Sequence, residues 1–348
     1  MSHFQHVLKR WYQENKRDLP WRRTKDPYKI WLSEVILQQT RVNQGTSYYL
    51  KFIDRFPNIS KLALAKEQEV LSLWQGLGYY SRARSLHASA KFVYNELNGV
   101  FPNTYKDLVL LKGVGPYTAS AISSFSYGEA RAVLDGNVYR VISRLYNIHI
   151  TINSAEGVKE FTKIAQDILD KTDPGSHNQA MMEFGALVCL PKTPKCNACP
   201  FDLLCISRRE GKPKELPVKS RKVKKRQRFF LYTVFVNLEK KIVFLRKRTE
   251  NDIWRNLYDF HLQEFSSAES LEEKITSYTG EFKITQRLHL LSHQKIKTCF
   301  VIERAHQKKK EIKGMLPVDL NKISAYPLPV LIKNYIDRDL VHLYSLIR

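Results

Sequence analysis

Apolar residues at Phe4, Val7, Leu8, Trp11 and Tyr12 recur with the i, i+3, i+4, i+7, i+8 spacing of one helical face. Helical patterning continues through the first two hundred residues. It predicts a second helix from about Tyr28 to Asn43 and a third that starts near Ser60 and ends before Gly76 and Gly78. A further helix is expected from Ser81 to Leu97, stopped at Gly99. Two short ones flank Gly113 and Gly115, and others begin near Gly136, Ser154 and Ser176. The pattern changes towards the C-terminus. Phe229 to Val236 and Ile242 to Leu245 are β-branched and aromatic runs of strand length. Between them and the helices, Arg208 to Arg228 holds eleven Lys or Arg, two Glu and two Pro, the composition of an exposed basic linker. Three segments are therefore expected: a helical domain over 1–207, a linker over 208–228 and an α+β domain over 229–348.

Composition narrows the partners. With 348 residues, two domains are the natural division, and a hydrophobic content of 43% is ample for buried cores. No apolar run approaches the ~20 residues of a membrane helix, so no membrane partner is expected. The formal net charge of +23 points to nucleic acid, whose phosphates such a surface would neutralise in a salt-dependent way.

Four of the five cysteines lie within seventeen residues, Cys189, Cys196, Cys199 and Cys205, spaced C-x6-C-x2-C-x5-C. Four thiolates on one short loop can enclose a metal centre without distant sequence. Disulfides would need an oxidising compartment, and the N-terminus carries no secretory pattern, so an intracellular, cytoplasmic protein is expected. Zinc ribbons pair two C-x2-C knuckles across a longer gap, whereas this loop has one. The spacing favours an iron–sulfur cluster and leaves zinc as the rival.

Two carboxylates stand in opposite surroundings. Glu34 lies in Trp31-Leu-Ser-Glu-Val-Ile-Leu-Gln-Gln-Thr40, among apolar neighbours that should raise its pKa and keep its proton near neutrality. Asp135 lies in Val133-Leu-Asp-Gly-Asn-Val-Tyr-Arg140, ahead of a helix whose free N–H groups and dipole should hold it ionised. Taken singly, each fits a purely structural role as well. A neutral acid paired with a persistent anion suits cleavage of a glycosidic bond, where a leaving group needs a proton and a sugar cation needs negative charge. Between these segments, Leu111-Lys-Gly-Val-Gly-Pro-Tyr-Thr-Ala119 joins two helical stretches. Gly113 and Gly115 permit positive φ, and a helix beginning at Pro116 would aim its free N–H groups at an anion.

The string from Leu111 to Ala119 resembles the hairpin of the helix-hairpin-helix DNA glycosylase superfamily, to which endonuclease III belongs. The four-cysteine loop matches that superfamily's [4Fe–4S] loop, in the expected order. The segments around Glu34 and Asp135 resemble those of its MutY-like, adenine-excising branch. The resemblance implies a mainly α helix-hairpin-helix glycosylase domain with an iron–sulfur loop, followed by an α+β MutT-like (NUDIX-fold) domain. It implies one [4Fe–4S] cluster and excision of adenine mispaired with 8-oxoguanine or guanine in double-stranded DNA by a monomer. Glu34 would protonate the adenine, Asp135 would stabilise or trap the sugar cation, and Asn137 would position the reacting groups. Tyr117 stands where the lyase branch carries a Schiff-base lysine, so little or no strand scission is expected. Trp21, Arg22, Leu37 and Gln179 would line the base pocket. Gln39 and Tyr79 would enter the DNA stack, with Gly113, Val114 and Gly115 on the backbone.

In the second domain, Ser292 and His293 would read 8-oxoguanine. No G-x5-E-x7-R-E-x2-E-E pyrophosphatase box is present. Trp254-Arg-Asn-Leu-Tyr-Asp-Phe260 departs from the W-x-G-L-W-E-F stretch it resembles at Asn256, Tyr258 and Asp259. A thymine or pyrimidine mismatch glycosylase, or a non-catalytic Fe–S DNA-binding protein, are the alternatives.

Overall fold

The computed structural model describes residues 2–220, 225–279, 282, 284–305 and 312–341. Part of the expected linker (221–224) and the end of the expected second domain (342–348) lie outside the described residues. The chain divides into two compact units, Met1–Leu64 with Ser85–Arg221, and Ala65–Arg84 with Lys222–Arg348. Among the described residues, no helix is long and apolar enough to cross a membrane.

The helices run α1 (His3–Asn15), α2 (Pro27–Leu37), α3 (Val42–Arg55), α4 (Ile59–Leu64), α5 (Glu67–Leu73) and α6 (Ser81–Glu96). There follow α7 (Tyr105–Leu108), α8 (Pro116–Tyr127), α9 (Gly136–Tyr146), α10 (Ala155–Asp167), α11 (Pro174–Leu187) and α12 (Ile206–Arg209). In the first unit, the apolar face of α1 (Val7, Leu8, Tyr12) packs on that of α9 (Val138, Val141, Ile142, Leu145) and on Ala180, Met181 and Phe184 of α11. Each fully buried large apolar side chain here is worth roughly 1.5–3 kcal/mol. Ser2 and Gln5 close a capping box at the head of α1. Asp26 caps α2, whose first residue is Pro27, and Asp135 caps α9.

Three sequence expectations are corrected. The helix expected from Tyr28 to Asn43 breaks after Leu37, where Gln38 leaves the helical region and Gln39 takes φ +57. Neither residue is a glycine or proline, so composition gave no sign of the turn. The helix expected from Ser60 divides into α4 and α5, and Asn58, not Ser60, bonds its first turn, accepting from Lys61 N at 3.0 Å. The stretch 208–228 is not wholly exposed: Leu216 is buried, its carbonyl accepts from Arg144 Nε at 3.1 Å, and Val218 O accepts from Ile152 N at 3.1 Å.

Among the described residues, the second unit is built on a seven-stranded sheet. Its strands are β1 (Arg226–Asn237), β2 (Ile242–Lys247), β3 (Tyr258–Asp259), β4 (His261–Phe265), β5 (Thr285–Leu290), β6 (Gln294–Arg304) and β7 (Leu316–Asp319). The order is β3-β2-β1-β6-β5, with β4 also on β1 and β7 on β2. β1 and β6 are parallel, with Phe230 opposite Thr298, and β5 and β6 form an antiparallel hairpin. Alternation along β1 feeds two faces. Phe229 and Leu231 join Cys299, Val301 and Leu271 of α13 (Ala268–Thr276). Tyr232 stacks on Phe300, which stacks at 4.0 Å on Tyr335 of α14 (Val330–Tyr335). Segment 65–84 belongs to this unit, with α5 and the loop before α6 bonded to residues between 255 and 328.

Candidate active site

One cavity of about 230 Å³ in the helical unit gathers the catalytic and base-pocket residues singled out in the sequence. Glu34, Tyr117, Asp135 and Asn137 line it together with Trp21, Arg22, Leu37 and Gln179. Helix α2 supplies Glu34, α8 supplies Tyr117, and the head of α9 supplies Asp135 and Asn137. Trp21 forms part of the apolar wall, its ring edge-on to Tyr49 at 5.4 Å.

Glu34 is only 5% exposed. Burial raises its pKa to about 7, and nearby Asp135 adds to the rise. The hydrogen bond from Tyr117 and the charge of Arg22 pull the other way. The Tyr117 phenol donates to Glu34 Oε2 at 2.6 Å. Burial, with the charges of Glu34 and Asp135, pushes that phenol's own pKa up, so it stays protonated and remains a donor.

Asp135 corrects its expectation in part. Its side chain does cap α9: Oδ1 accepts from Asn137 N at 2.8 Å and Val138 N at 2.7 Å, and Oδ2 from Asn137 Nδ2 at 2.6 Å. Its pKa is nevertheless raised, because burial outweighs the hydrogen bonds and the charge of Arg140. All three partners are donors, which suits a carboxylate and leaves a proton no acceptor among them. Asn137 is itself held, with its Oδ1 accepting from Arg140 Nη2 at 2.8 Å.

Sequence reasoning found Arg22 but missed Arg17 and Glu183, which line the same cavity. Glu183 on α11 accepts from Arg17 N and Nε at 2.9 and 2.8 Å and from Arg22 Nη2 at 2.9 Å. Burial alone would raise its pKa; the two arginines carry it down to about 2. Glu183 sits among apolar residues in Ala180-Met-Met-Glu-Phe184, the same context that drew notice to Glu34, and this could have found it. Gln179 lines the cavity and accepts from the Tyr12 phenol at 2.8 Å.

The remaining candidates lie outside the cavity lining. Gly113 takes φ +81, and a Cβ there would meet Ser85 Cβ at 2.6 Å, so the hairpin needs glycine on both counts. Gly115 departs from expectation. Its backbone is extended, open to any residue, and a Cβ there would meet nothing within 4 Å. It leaves the N-terminus of α8 uncovered. Val114 is buried, its N–H donating to Leu111 O at 3.0 Å. Gln39 is exposed in the α2–α3 turn. Tyr79 is 43% exposed, with φ +47. Ser292 and His293 are exposed at the tip of the β5–β6 hairpin, Ser292 Oγ lying 3.1 Å from His293 Nδ1.

Cys189, Cys196, Cys199 and Cys205 line one cavity with Arg144. Among the described residues, no group of three or more His, Cys, Asp or Glu is gathered as a site for a metal ion. The donor set still suits a larger thiolate-held centre. Arg144 is buried and donates to Leu190 O, Pro191 O, Leu216 O and, at 3.3 Å, Cys189 Sγ. A buried guanidinium needs counter-charge, and none of these carbonyls carries one. Thiolates around a cluster would supply it. Burial pushes the Cys199 thiol up to about 12, so the proton is held until a cationic centre displaces it.

Residues 32–167 match the model of the HhH-GPD superfamily base excision DNA repair protein, and residues 232–338 that of the NUDIX domain. The adenine DNA glycosylase of Buchnera aphidicola subsp. Baizongia pistaciae is 39% identical over 261 residues, spanning 74% of this chain and 73% of that protein. The human adenine DNA glycosylase is 43% identical over 222 residues, 61% of this chain and 41% of the human protein. Among solved structures, a thermostable thymine-DNA glycosylase has a TM-score of 0.56 at 28% identity, covering 60% of this chain and 95% of its own. Endonuclease III in a non-covalent DNA complex shares the fold, with a TM-score of 0.52 at 20% identity over 60% of this chain and 96% of its own. The chain thus belongs to the adenine DNA glycosylase family, within the HhH-GPD superfamily of base excision repair proteins.

Proposed function

We propose that this protein is a DNA glycosylase that hydrolyses the N-glycosidic bond of adenine mispaired with 8-oxoguanine or guanine in duplex DNA. The observation that carries the reading is one cavity lined by a neutral acid and a donor-bound carboxylate. With its pKa raised to about 7, Glu34 is protonated in a substantial fraction of molecules near neutral pH and can pass that proton to a ring nitrogen of the flipped base, N7 in the family pattern. Protonation makes the base a neutral leaving group, and the C1′–N9 bond breaks with its electron pair going to the base. Asp135 then faces the developing sugar cation, its charge kept in place by Asn137 and the head of α9. A water molecule completes the hydrolysis. Tyr117 orients Glu34, and as a phenol it offers no amine for a Schiff base.

Base extrusion needs compensation for lost stacking, and Gln39 and Tyr79 are the side chains assigned to enter the stack. Gly113 and Gly115 offer hairpin backbone N–H groups to a phosphate beside the open end of α8, while Val114, buried and with its N–H bonded to Leu111 O, holds the turn between them. The glutamate between Arg17 and Arg22, with Trp21, Leu37 and Gln179, shapes the base pocket. Ser292 and His293 read the opposite base, because 8-oxoguanine carries N7–H as a donor and an added O8 where guanine N7 only accepts. The four cysteines would hold a [4Fe–4S] cluster through their thiolates, which would tie together the loop from Cys189 to Cys205. Glu34→Gln keeps the shape of the acid and removes its proton. Single-turnover release of adenine should fall by about 10²–10⁴-fold while duplex binding survives; unchanged turnover would move the acid elsewhere.

A further inference from the structure

Tyr79 lies in the helical half of the sequence, yet the loop that carries it is fastened to the C-terminal residues of the second unit. Tyr80 beside it is buried and donates its phenol to Leu328 O at 3.2 Å. Gln75 accepts from Leu328 N at 3.3 Å, and Gln68 donates to Ala325 O at 3.0 Å while accepting from the Tyr258 phenol. Asn256 Nδ2 reaches Glu67 Oε1 at 2.5 Å, and Arg84 donates to Arg255 O at 2.9 Å. Two of the three residues that depart from the family stretch between Trp254 and Phe260, Asn256 and Tyr258, are thus among those that grip this segment. Asn256 takes φ +66, a conformation that asparagine and glycine adopt more readily than other residues, so it keeps the turn and adds an amide.

Within the loop, Gly76 and Gly78 take φ +102 and +71, and Tyr79 itself takes φ +47. Such a conformation in a tyrosine persists only where its surroundings impose it. Gly78 O accepts from Trp74 Nε1 at 3.0 Å and from Arg82 Nη2 at 3.3 Å. The Arg82 guanidinium lies over both the Trp74 and Tyr79 rings. Tyr79 is 43% exposed, with the Arg82 guanidinium against its ring.

We infer that the C-terminal unit sets the position of Tyr79, with Tyr80, Asn256 and Tyr258 as positioning residues for its entry into the DNA stack. The inference rests on the assignment of Tyr79 as a stacking side chain. It makes the C-terminal unit part of the base-extrusion machinery on every mispair, beyond any reading of the opposite base.

The test uses the full chain and an A:G duplex with 2-aminopurine placed beside the mispaired guanine, whose fluorescence rises when the neighbouring stack opens. Tyr79→Ala establishes the size of the wedge effect on that rise and on single-turnover adenine release. Tyr80→Phe and Asn256→Gly, each removing one hydrogen-bonding group, should reduce both by about two- to tenfold. In the Tyr79→Ala background they should add nothing, because a missing wedge has no position to lose. Losses that multiply with Tyr79→Ala would mark general damage to the unit and overturn the inference. So would full activity in Tyr80→Phe with Asn256→Gly while Tyr79→Ala is impaired. An unchanged fluorescence rise in Tyr79→Ala would instead remove the stacking assignment, and the inference with it.

Discussion

The Tyr117 phenol reaches Glu34 across 83 residues of sequence and donates to its carboxyl oxygen at 2.6 Å. Burial and this bond act on the acid in opposite directions. Burial wins, and Glu34 stands at about 7 where an ordinary glutamic acid stands at 4.5. Adenine release should therefore decline as pH rises through about 7, following the protonated fraction of Glu34. Tyr117→Phe removes a contact that favours the ionised form. The declining limb of the pH–rate profile should move to higher pH, and an unmoved or lowered limb would contradict this assignment.

The same shift makes a statement about stability. A carboxylic acid with a raised pKa holds its proton more tightly in the folded chain than in the unfolded one. Its contribution is complete below pH ~4.5 and is lost as pH rises through about 7, a swing of about 3 kcal/mol. Glu34→Gln mimics the neutral acid at every pH. Relative to the parent protein, it should gain thermal stability at pH 8 and gain none at pH 4, as measured by parallel melts.

Asp135→Asn should bind mispaired duplex and fail to release adenine, since an amide cannot neutralise a sugar cation. The substitution also places an NH2 group towards Asn137 Nδ2, a second donor facing a donor. Asn137→Ala keeps the carboxylate and loses one of its three hydrogen bonds. Its effect on single-turnover release should be much the smaller of the two.

Glu183→Gln removes the anion shared by Arg17 and Arg22. Arg22 is the less exposed of the two and would be left with cationic character against the pocket wall. We expect a loss of roughly 1–3 kcal/mol in denaturant unfolding, discounted for the partial exposure of Arg17, together with weaker retention of adenine.

The cysteine loop predicts protein that is brown when prepared anaerobically, with iron and not zinc in elemental analysis. Cys199→Ser should lose the cluster and with it DNA affinity, because the order of the loop from Cys189 to Cys205 depends on its cross-link.

Much of this site was legible in the chain because its determinants are local. Glu34 is conspicuous among apolar residues, Asp135 by its place before a helix, Gly113 by the turn it permits, and the cysteines by their spacing. What was not legible depends on distant partners. Glu183 acquires its role from Arg17 and Arg22, more than 160 residues away. The grip of Asn256 and Tyr258 on segment 65–84 crosses 189 and 190 residues. The strength of burial at Asp135 is likewise a tertiary property, which is why a helix-end argument misjudged the direction of its shift.

Preference for the damaged mispair should reside in the β5–β6 tip. Ser292→Ala with His293→Ala should leave release from A:G largely intact and narrow the advantage of A:8-oxoguanine by the ~0.5–1.5 kcal/mol of each lost hydrogen bond. An unchanged advantage would place lesion reading elsewhere.

The most direct measurement is the identity of the free base released from duplexes that differ only at one pair. The parent protein and Glu34→Gln are incubated with A:8-oxoguanine, A:G, T:G and fully paired duplexes, and the products are separated with and without borohydride trapping. The account predicts free adenine from the first two duplexes only, release by Glu34→Gln slowed by about 10²–10⁴-fold, and little or no trapped Schiff base. Release of thymine from T:G with trapped, cleaved strands would instead assign the cavity to a pyrimidine mismatch glycosylase. Binding without release of any base would contradict catalysis by Glu34 and Asp135 altogether.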